Sequence, residues 1–115
     1  MPSTSLSLRI DLPGGARFGP GKAALLKAID EEGSISAAAR ALGMSYPRAL
    51  RLVDDLNACF QQPLVTAFHG GKNRGGANLT ETGADILTIY LRLAEKAEKA
   101  TRAERTQMSE HIKNG

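Results

Sequence analysis

The segment Gly33-Ser-Ile-Ser-Ala-Ala-Ala-Arg-Ala-Leu-Gly-Met-Ser-Tyr-Pro-Arg-Ala-Leu-Arg-Leu-Val53 narrows the possible folds more than any other part of the 115-residue chain. Ser36 stands ahead of a run of strong helix formers, the place of an N-cap or first-turn residue. Gly43 ends that run where the backbone needs a left-handed residue. Ser45 caps a second helix, and Pro47 falls in its first turn, where a missing N–H leaves nothing unpaired. Ala38 and Ala39 are small enough for the two helices to cross closely. Leu42, Met44, Ala49, Leu52, Val53 and Leu56 fill the wedge between them. Tyr46, Arg48, Arg51 and Asp55 remain outward, and Arg48, Arg51 and Asp55 share a face at i, i+3 and i+7. This is the helix-turn-helix pattern, whose second helix enters the major groove of duplex DNA.

The length suits one domain with a modest core. A formal charge of +3 and a pI near 9.3 lean towards nucleic acid without requiring it. There is no Trp, and aromatic residues make up 4%, too few for a base-stacking platform for single strands. Cys59, the lone cysteine, excludes an internal disulfide and agrees with a reducing, cytoplasmic setting. No apolar run has transmembrane length, and the first residues lack the charged and apolar regions of a signal peptide, so no membrane partner is expected.

Leu6, Leu8, Ile10 and Leu12 alternate with Ser7, Arg9 and Asp11, the period of a half-buried strand, which Pro13-Gly14-Gly15 stops. A first helix is predicted over about 20–32, with Leu25, Leu26 and Ile29 inward and Lys22, Lys27, Asp30 and Glu31 outward. After the helix-turn-helix, which fades near Phe60, Leu64 to Phe68 reads as a short strand. The stretch from His69 to Gly76 reads as a flexible loop, with Ala77-Asn78-Leu79 pairing back as the other strand. That hairpin is the wing of a winged helix. Thr80 or Thr82 then caps a long helix over about 81–105, leaving a polar, fraying tail over 106–115. The predicted fold is mainly α with a small β-hairpin. It comprises a winged helix-turn-helix over 1–80, a dimerisation helix over 81–105 and the tail.

On the long helix, Ile86, Tyr90, Leu93, Ala97 and Ala100 recur at steps of four and three, a coiled-coil seam. Leu87, Leu91 and Ala94 form a second track. One track can pack on the domain while the other meets a second copy, which favours a homodimer over two tracks covering a single core.

For the DNA interface, Arg48 and Arg51 are the base readers, since a guanidinium donates two parallel hydrogen bonds to guanine O6 and N7. Ser45 and Tyr46 stand where a helix N-terminus meets the backbone phosphates. Ser36 joins them from the first helix of the pair. Asp55 accepts from cytosine or holds Arg51. In the wing, Lys72, Asn73 and Arg74 suit phosphate or minor-groove contact, and the glycines around them allow close approach. Gly15 to Ala23 follows a strand and precedes a helix as a nucleotide-binding loop does, but it fails as one. Five residues separate Gly15 from Gly21 where four are needed, and Ala23 replaces the hydroxyl that would hold magnesium. His69, His111 and Cys59 lack metal-ligand spacing; His69 reads as a solvated turn residue and Cys59 as a small buried hydrophobe. Asn78-Leu79-Thr80 matches a glycosylation sequon, idle in a cytoplasmic strand. No catalysis, cofactor or metal is expected. The readings that compete with a sequence-specific dimeric regulator are an interaction protein that pairs through its long helix and a weakly specific nucleoid-type binder.

Gly33-Ser34-Ile35-Ser36, Ala39, Gly43-Met44-Ser45-Tyr46, the wing from Gly70-Gly71-Lys72 to Gly75-Gly76-Ala77, and Leu79-Thr80-Glu81-Thr82-Gly83 carry a resemblance over about 6–97. The chain resembles the N-terminal DNA-binding domain of ModE-type, molybdate-responsive transcriptional regulators. A more distant likeness is to LysR-type regulators, which share Glu32-Gly33-Ser34 and the Leu79-to-Gly83 run. LysR-type proteins start directly at the first helix and carry Ser-Gln-Pro where Ser45-Tyr46-Pro47 stands here, so the leading strand and glycine-rich wing favour the ModE type. The resemblance implies DNA binding and a following oxyanion-binding domain. Tight capture of a tetrahedral oxyanion needs several preorganised donors in a desolvated pocket. The helix N-termini and the wing offer only open ones, so no molybdate binding is expected within these 115 residues. Calorimetry of molybdate into the purified chain should give no stoichiometric heat at micromolar concentration; such a heat would place an oxyanion pocket in this chain or between two copies of it.

Overall fold

The computed structural model describes residues 4–70 and 74–113. The chain opens with a minimal hairpin. Strand β1 (Ile10–Asp11) pairs antiparallel with β2 (Arg17–Phe18), Ile10 opposite Phe18 and Asp11 opposite Arg17. A 3-10 turn at Pro13–Gly15 reverses the chain, with φ of +79° at Gly14 and +84° at Gly15. The alternation from Leu6 to Leu12 therefore yields only two residues of ladder. Leu6 is exposed, and the partner strand is the pair Arg17–Phe18, too short to leave a period in the sequence.

Helix α1 (Pro20–Glu32) starts on Pro20 and ends at Gly33, whose φ of +79° closes the last turn with its N–H on Ile29 O. Its buried face holds Leu25, Leu26 and Ile29. Helix α2 (Ile35–Ala41) is capped by Ser34, whose hydroxyl accepts from Ala37 N at 3.0 Å. Ser36 lies in the first turn and is exposed, so of the two places the sequence allows it, it takes the second. Gly43 supplies the left-handed turn at φ +67°, and Ser45 caps α3 (Tyr46–Cys59) by accepting from Arg48 N. Ala38, Ala39 and Ala49 are fully or almost fully buried, and it is their small side chains that let α1, α2 and α3 approach one another. Val53 and Leu56 complete the buried face of α3. Met44 and Leu52 pack on the core only in part, Leu42 is exposed, and Cys59 is half-buried rather than buried.

The wing is a longer hairpin than its residue types predict. Strand β3 (Val65–Gly70) pairs with β4 (Arg74–Leu79) in register from Val65–Leu79 to Gly70–Arg74. Gly70, Gly75 and Gly76 belong to the ladder, and His69 lies in a strand rather than a turn. Lys72 and Asn73 lie outside the described residues. Two polar side chains fix the base of the hairpin. Asn57 of α3 accepts from Leu64 N and Val65 N and donates to Val65 O, all within 3.1 Å. Thr80 donates its hydroxyl proton to Pro63 O at 2.7 Å and accepts from Gly83 N at 2.9 Å, which caps the next helix. Ala77 N donates to Gly33 O at 2.9 Å, tying β4 to the α1–α2 corner.

Helix α4 (Glu81–Ala100) is the long terminal helix, but it does not run to Arg105. It ends at Thr101, and α5 (Arg102–Ser109) continues where a fraying tail is expected. Thr101 bonds Ala97 O through both its N–H and its hydroxyl, a local competition with the helical ladder that favours a break. Arg105 donates to Glu98 O and to Thr101 Oγ1 across the break. The hydrogen bond from Arg102 and the charges of Arg102 and Arg105 hold the Glu98 carboxyl below the usual carboxylate range. The seam reading also changes at its centre. Tyr90 is 6% exposed in the chain's own core, its ring 5.1 Å from that of Phe18 and its hydroxyl donating to Leu8 O at 2.6 Å. Burial also pushes that hydroxyl's pKa up. No described helix is long and apolar enough to cross a membrane.

Gly83 lies against the backbone of Leu64, so a Cβ there would fall on the Leu64 carbonyl oxygen. Gly83→Ala is expected to cost about 1–3 kcal/mol, since a backbone carbonyl cannot yield as a side chain can. Asn57→Leu, which strips three backbone groups of their partner, is expected to cost at least about 1–3 kcal/mol. Urea unfolding at constant m-value measures both. A loss below about 0.5 kcal/mol for either would remove this junction from the interactions that hold the fold.

Candidate nucleic-acid interface

The site grows from α3. Its apolar side faces α1 and α2 through Ala49, Val53 and Leu56, which leaves the opposite side to solvent. Tyr46, Arg48, Arg51 and Asp55 are all exposed on that helix, and Tyr46 is 49% exposed at its first position. Among the described residues, neither Arg48 nor Arg51 has a carboxylate within salt-bridge distance. Asp55 does not hold Arg51, and both guanidinium groups are available to another partner. Pro47 and the Ser45 cap fix the direction in which the first turn leaves the Gly43 corner, so Tyr46 and Arg48 project from a rigid start rather than a fraying one.

Two clefts flank the start of α3. One lies between the helix pair and the wing, lined by Ser34, Ser36, Tyr46, Phe68, Gly75 and Gly76. Ser36 and Tyr46, singled out from the sequence, meet there. Ser36 keeps only a long 3.5 Å contact with Arg40. Phe68 is the residue that the sequence reading missed. It is 49% exposed on β3, and its ring occupies the place a Cβ on Gly76 would take. The glycine in β4 thus serves to seat an aromatic ring on the wing, a pairing visible only once the hairpin register is known. The other cleft lies between α3 and the N-terminal hairpin and brings Arg48 beside Arg17 and Lys22. Arg74 is the first residue of β4. Among the described residues, no group of His, Cys, Asp and Glu could hold a metal ion.

A trihelical core whose third helix exposes Arg48 and Arg51, with a two-stranded wing beside it, defines a winged helix-turn-helix protein. The chain belongs to the family of bacterial regulatory helix-turn-helix proteins of the lysR family, whose pattern it matches over residues 22–84, from α1 into the first turn of α4. It is similar to the molybdenum-pterin-binding protein MopB of Rhodobacter capsulatus, 49% identical over 76 residues that cover 66% of this chain and 28% of that protein. The transcriptional regulator ModE of Yersinia pestis is 41% identical over 81 residues, 70% of this chain and 31% of the relative. The chain thus spans under a third of the length of these two relatives. Among solved structures, the DNA-binding domain of CbnR in complex with DNA superposes with a TM-score of 0.59 at 25% identity, over 76% of this chain and 95% of that one. The likeness to ModE-type regulators read from the sequence is therefore carried by named relatives, and the LysR-type likeness by the family pattern and the fold.

Tyr46 and Phe68 face one cleft from two elements. Tyr46→Ala and Phe68→Ala should each leave the fold intact by circular dichroism, because both side chains are about half exposed. A thermal midpoint lowered by more than a few degrees in either variant would show that the side chain supports the core rather than the cleft.

Proposed function

We propose that the chain is a sequence-specific, double-stranded DNA-binding transcriptional regulator that acts as a homodimer and carries out no catalysis. The observation that carries this reading is α3: a helix capped at Ser45, buried on one side and lined on the other by Tyr46, Arg48 and Arg51. The similar CbnR domain was crystallised with DNA. A helix of this width fits the major groove, and its free N-terminal amides favour a phosphate. Arg48 and Arg51 donate to base edges. Ser36, Ser45 and Tyr46 contact the backbone at the helix start. Lys72, Asn73 and Arg74 of the wing reach phosphates or the adjacent minor groove.

The homodimer forms through α4. Tyr90 is buried in the chain's own core and also lines an apolar groove with Ile86, Ile89, Leu93, Phe18 and Phe60, and the interface lies on that flank. Ile89 is 50% and Leu93 43% exposed, more apolar surface than a helix finished by its own domain leaves open. Ala97 continues the flank towards the break at Thr101. Two copies related by a two-fold axis then present two α3 helices to half-sites one helical turn, or a multiple, apart.

Selection of bound sequences from a random duplex pool tests the reading, with enrichment of a palindrome as the supporting result and no enrichment as the refuting one. On the selected site, Arg51→Ala should relax preference at one base pair per half-site, a loss of about 1–3 kcal/mol there. Lys72→Ala should weaken all sequences alike and reduce the salt slope by about one. Identical behaviour of the two variants across a panel of sites would refute this division between reading and holding. Leu93→Asp should sediment as a folded monomer at micromolar concentration; a dimer that survives the change puts the interface elsewhere.

A further inference from the structure

The glycine-rich stretch before α1 has the composition of a phosphate-binding loop but not its spacing. Its place in the fold gives it another use. Strand β2 and the first turn of α1 stand beside the start of α3, and Arg17, Lys22 and Arg48 line two adjoining open clefts, the first of them also lined by Gly19 and Gly21. No side chain caps α1 at Gly19, and Pro20 has no N–H to offer, so the first-turn amides of Gly21 and Lys22 are left without a local acceptor. Of the carboxylates nearby, Asp11 is engaged by Arg9 at 3.1 Å although it stands opposite Arg17 in the hairpin. Asp55 lines the second cleft together with the same three basic side chains. Among the described residues, Arg17, Lys22 and Arg48 make no ion pair. The first of these clefts holds about 710 Å³, far more room than a single ion takes up, and it is open to solvent. Those are the charge and shape of a seat for a stretch of polyanion rather than a pocket for a small anion.

We infer that these clefts bind the DNA sugar–phosphate backbone on the side of α3 away from the wing, with Arg17 and Lys22 as phosphate contacts outside the helix-turn-helix. This rests on α3 lying in the major groove, as proposed above. Phosphates bordering that groove pass on both sides of a helix inserted in it. The wing stands on one side, and the β1–β2 hairpin with the α1 start stands on the other. Contacts of this kind carry no base preference; they hold the register in which Arg48 and Arg51 read.

The test uses the full chain and a fluorescein-labelled random-sequence duplex about three helical turns long, with binding followed by anisotropy across a salt series. The double variant Arg17→Gln/Lys22→Gln should bind more weakly, and its plot of log affinity against log salt should flatten by about two, roughly 0.9 for each phosphate no longer neutralised. The charge-exchanged variant Arg17→Lys/Lys22→Arg should keep the wild-type slope. Lys96→Gln, on an exposed turn of α4, should also leave it unchanged. The same flattening should appear on a duplex selected from the random pool, with base preferences unaltered. A double variant with the wild-type slope overturns this inference while leaving the proposed function in place. A charge-exchanged variant that flattens as much as the neutral one overturns it too, since the residues would then act through the fold. A wild-type chain that fails to bind either duplex overturns the proposed function and this inference with it.

Discussion

The geometry of the molecule hangs on the contacts around Leu64. Its side chain is fully buried, its N–H is bonded to Asn57 of α3, and its carbonyl accepts from Thr80 N while lying against Gly83 of α4. Three elements meet at one residue: the helix that faces outward, the wing and the long terminal helix. A two-stranded hairpin is marginal in water when it stands alone. Here Asn57 supplies the hydrogen bonds a third strand would otherwise give at its base, and Ala77 N on Gly33 O anchors the opposite strand. The wing is therefore tied to α3 at its base, which the proposed placement of both elements along one groove would require.

The same economy governs the helix core. Ala38, Ala39 and Ala49 replace larger side chains where α2 crosses its neighbours, and the bulk comes instead from Leu25, Leu26, Ile29 and Leu56. Close crossing brings the Gly43 corner near enough for Met44 N to reach Ala39 O at 3.0 Å, so the turn is bonded to the helix before it. With the turn fixed, the direction of α3 follows from Ser45 and Pro47. Preorganisation of this kind matters because every freedom left in the recognition surface must be lost on binding.

Much of this was legible in the sequence because it is written in local chemistry. Ser45, Pro47 and Gly43 act within one turn of where they stand, as does Thr80 in capping α4, and their residue types name these jobs. What escaped depends on partners distant in the chain. Ser34 and Ser36 are equivalent by type, and only the extended backbone at Ser34, φ −156° and ψ 153°, makes it the cap. Tyr90 fits a coiled-coil seam by spacing, yet Leu8 and Phe18 from the N-terminal hairpin claim it for the core. That hairpin was hidden because β2 has only two residues. Glycine has no side chain with which to show a period, so the wing read as loop where it is ladder. Asn57 is one polar residue among several on its helix, and nothing within its own turn distinguishes it.

The placement of charge along α3 has a consequence for how such a surface works. Arg51 is exposed on the helix and lines neither cleft beside it, whereas Arg48 shares both with Arg17 and Lys22. Like charges gathered in one cleft repel one another until a polyanion enters, and that repulsion is relieved on binding to any duplex. An isolated guanidinium has no such term to relieve, so its gain depends on finding a base edge that can accept from it. On the proposed reading, Arg17 and Lys22 would add affinity without sequence, while Arg48 and Arg51 would supply the base preference. The hairpin that brings Arg17 and the α1 start that brings Lys22 also contact the core through Phe18 and Ala23, so the clefts cannot shift without disturbing the packing beneath them.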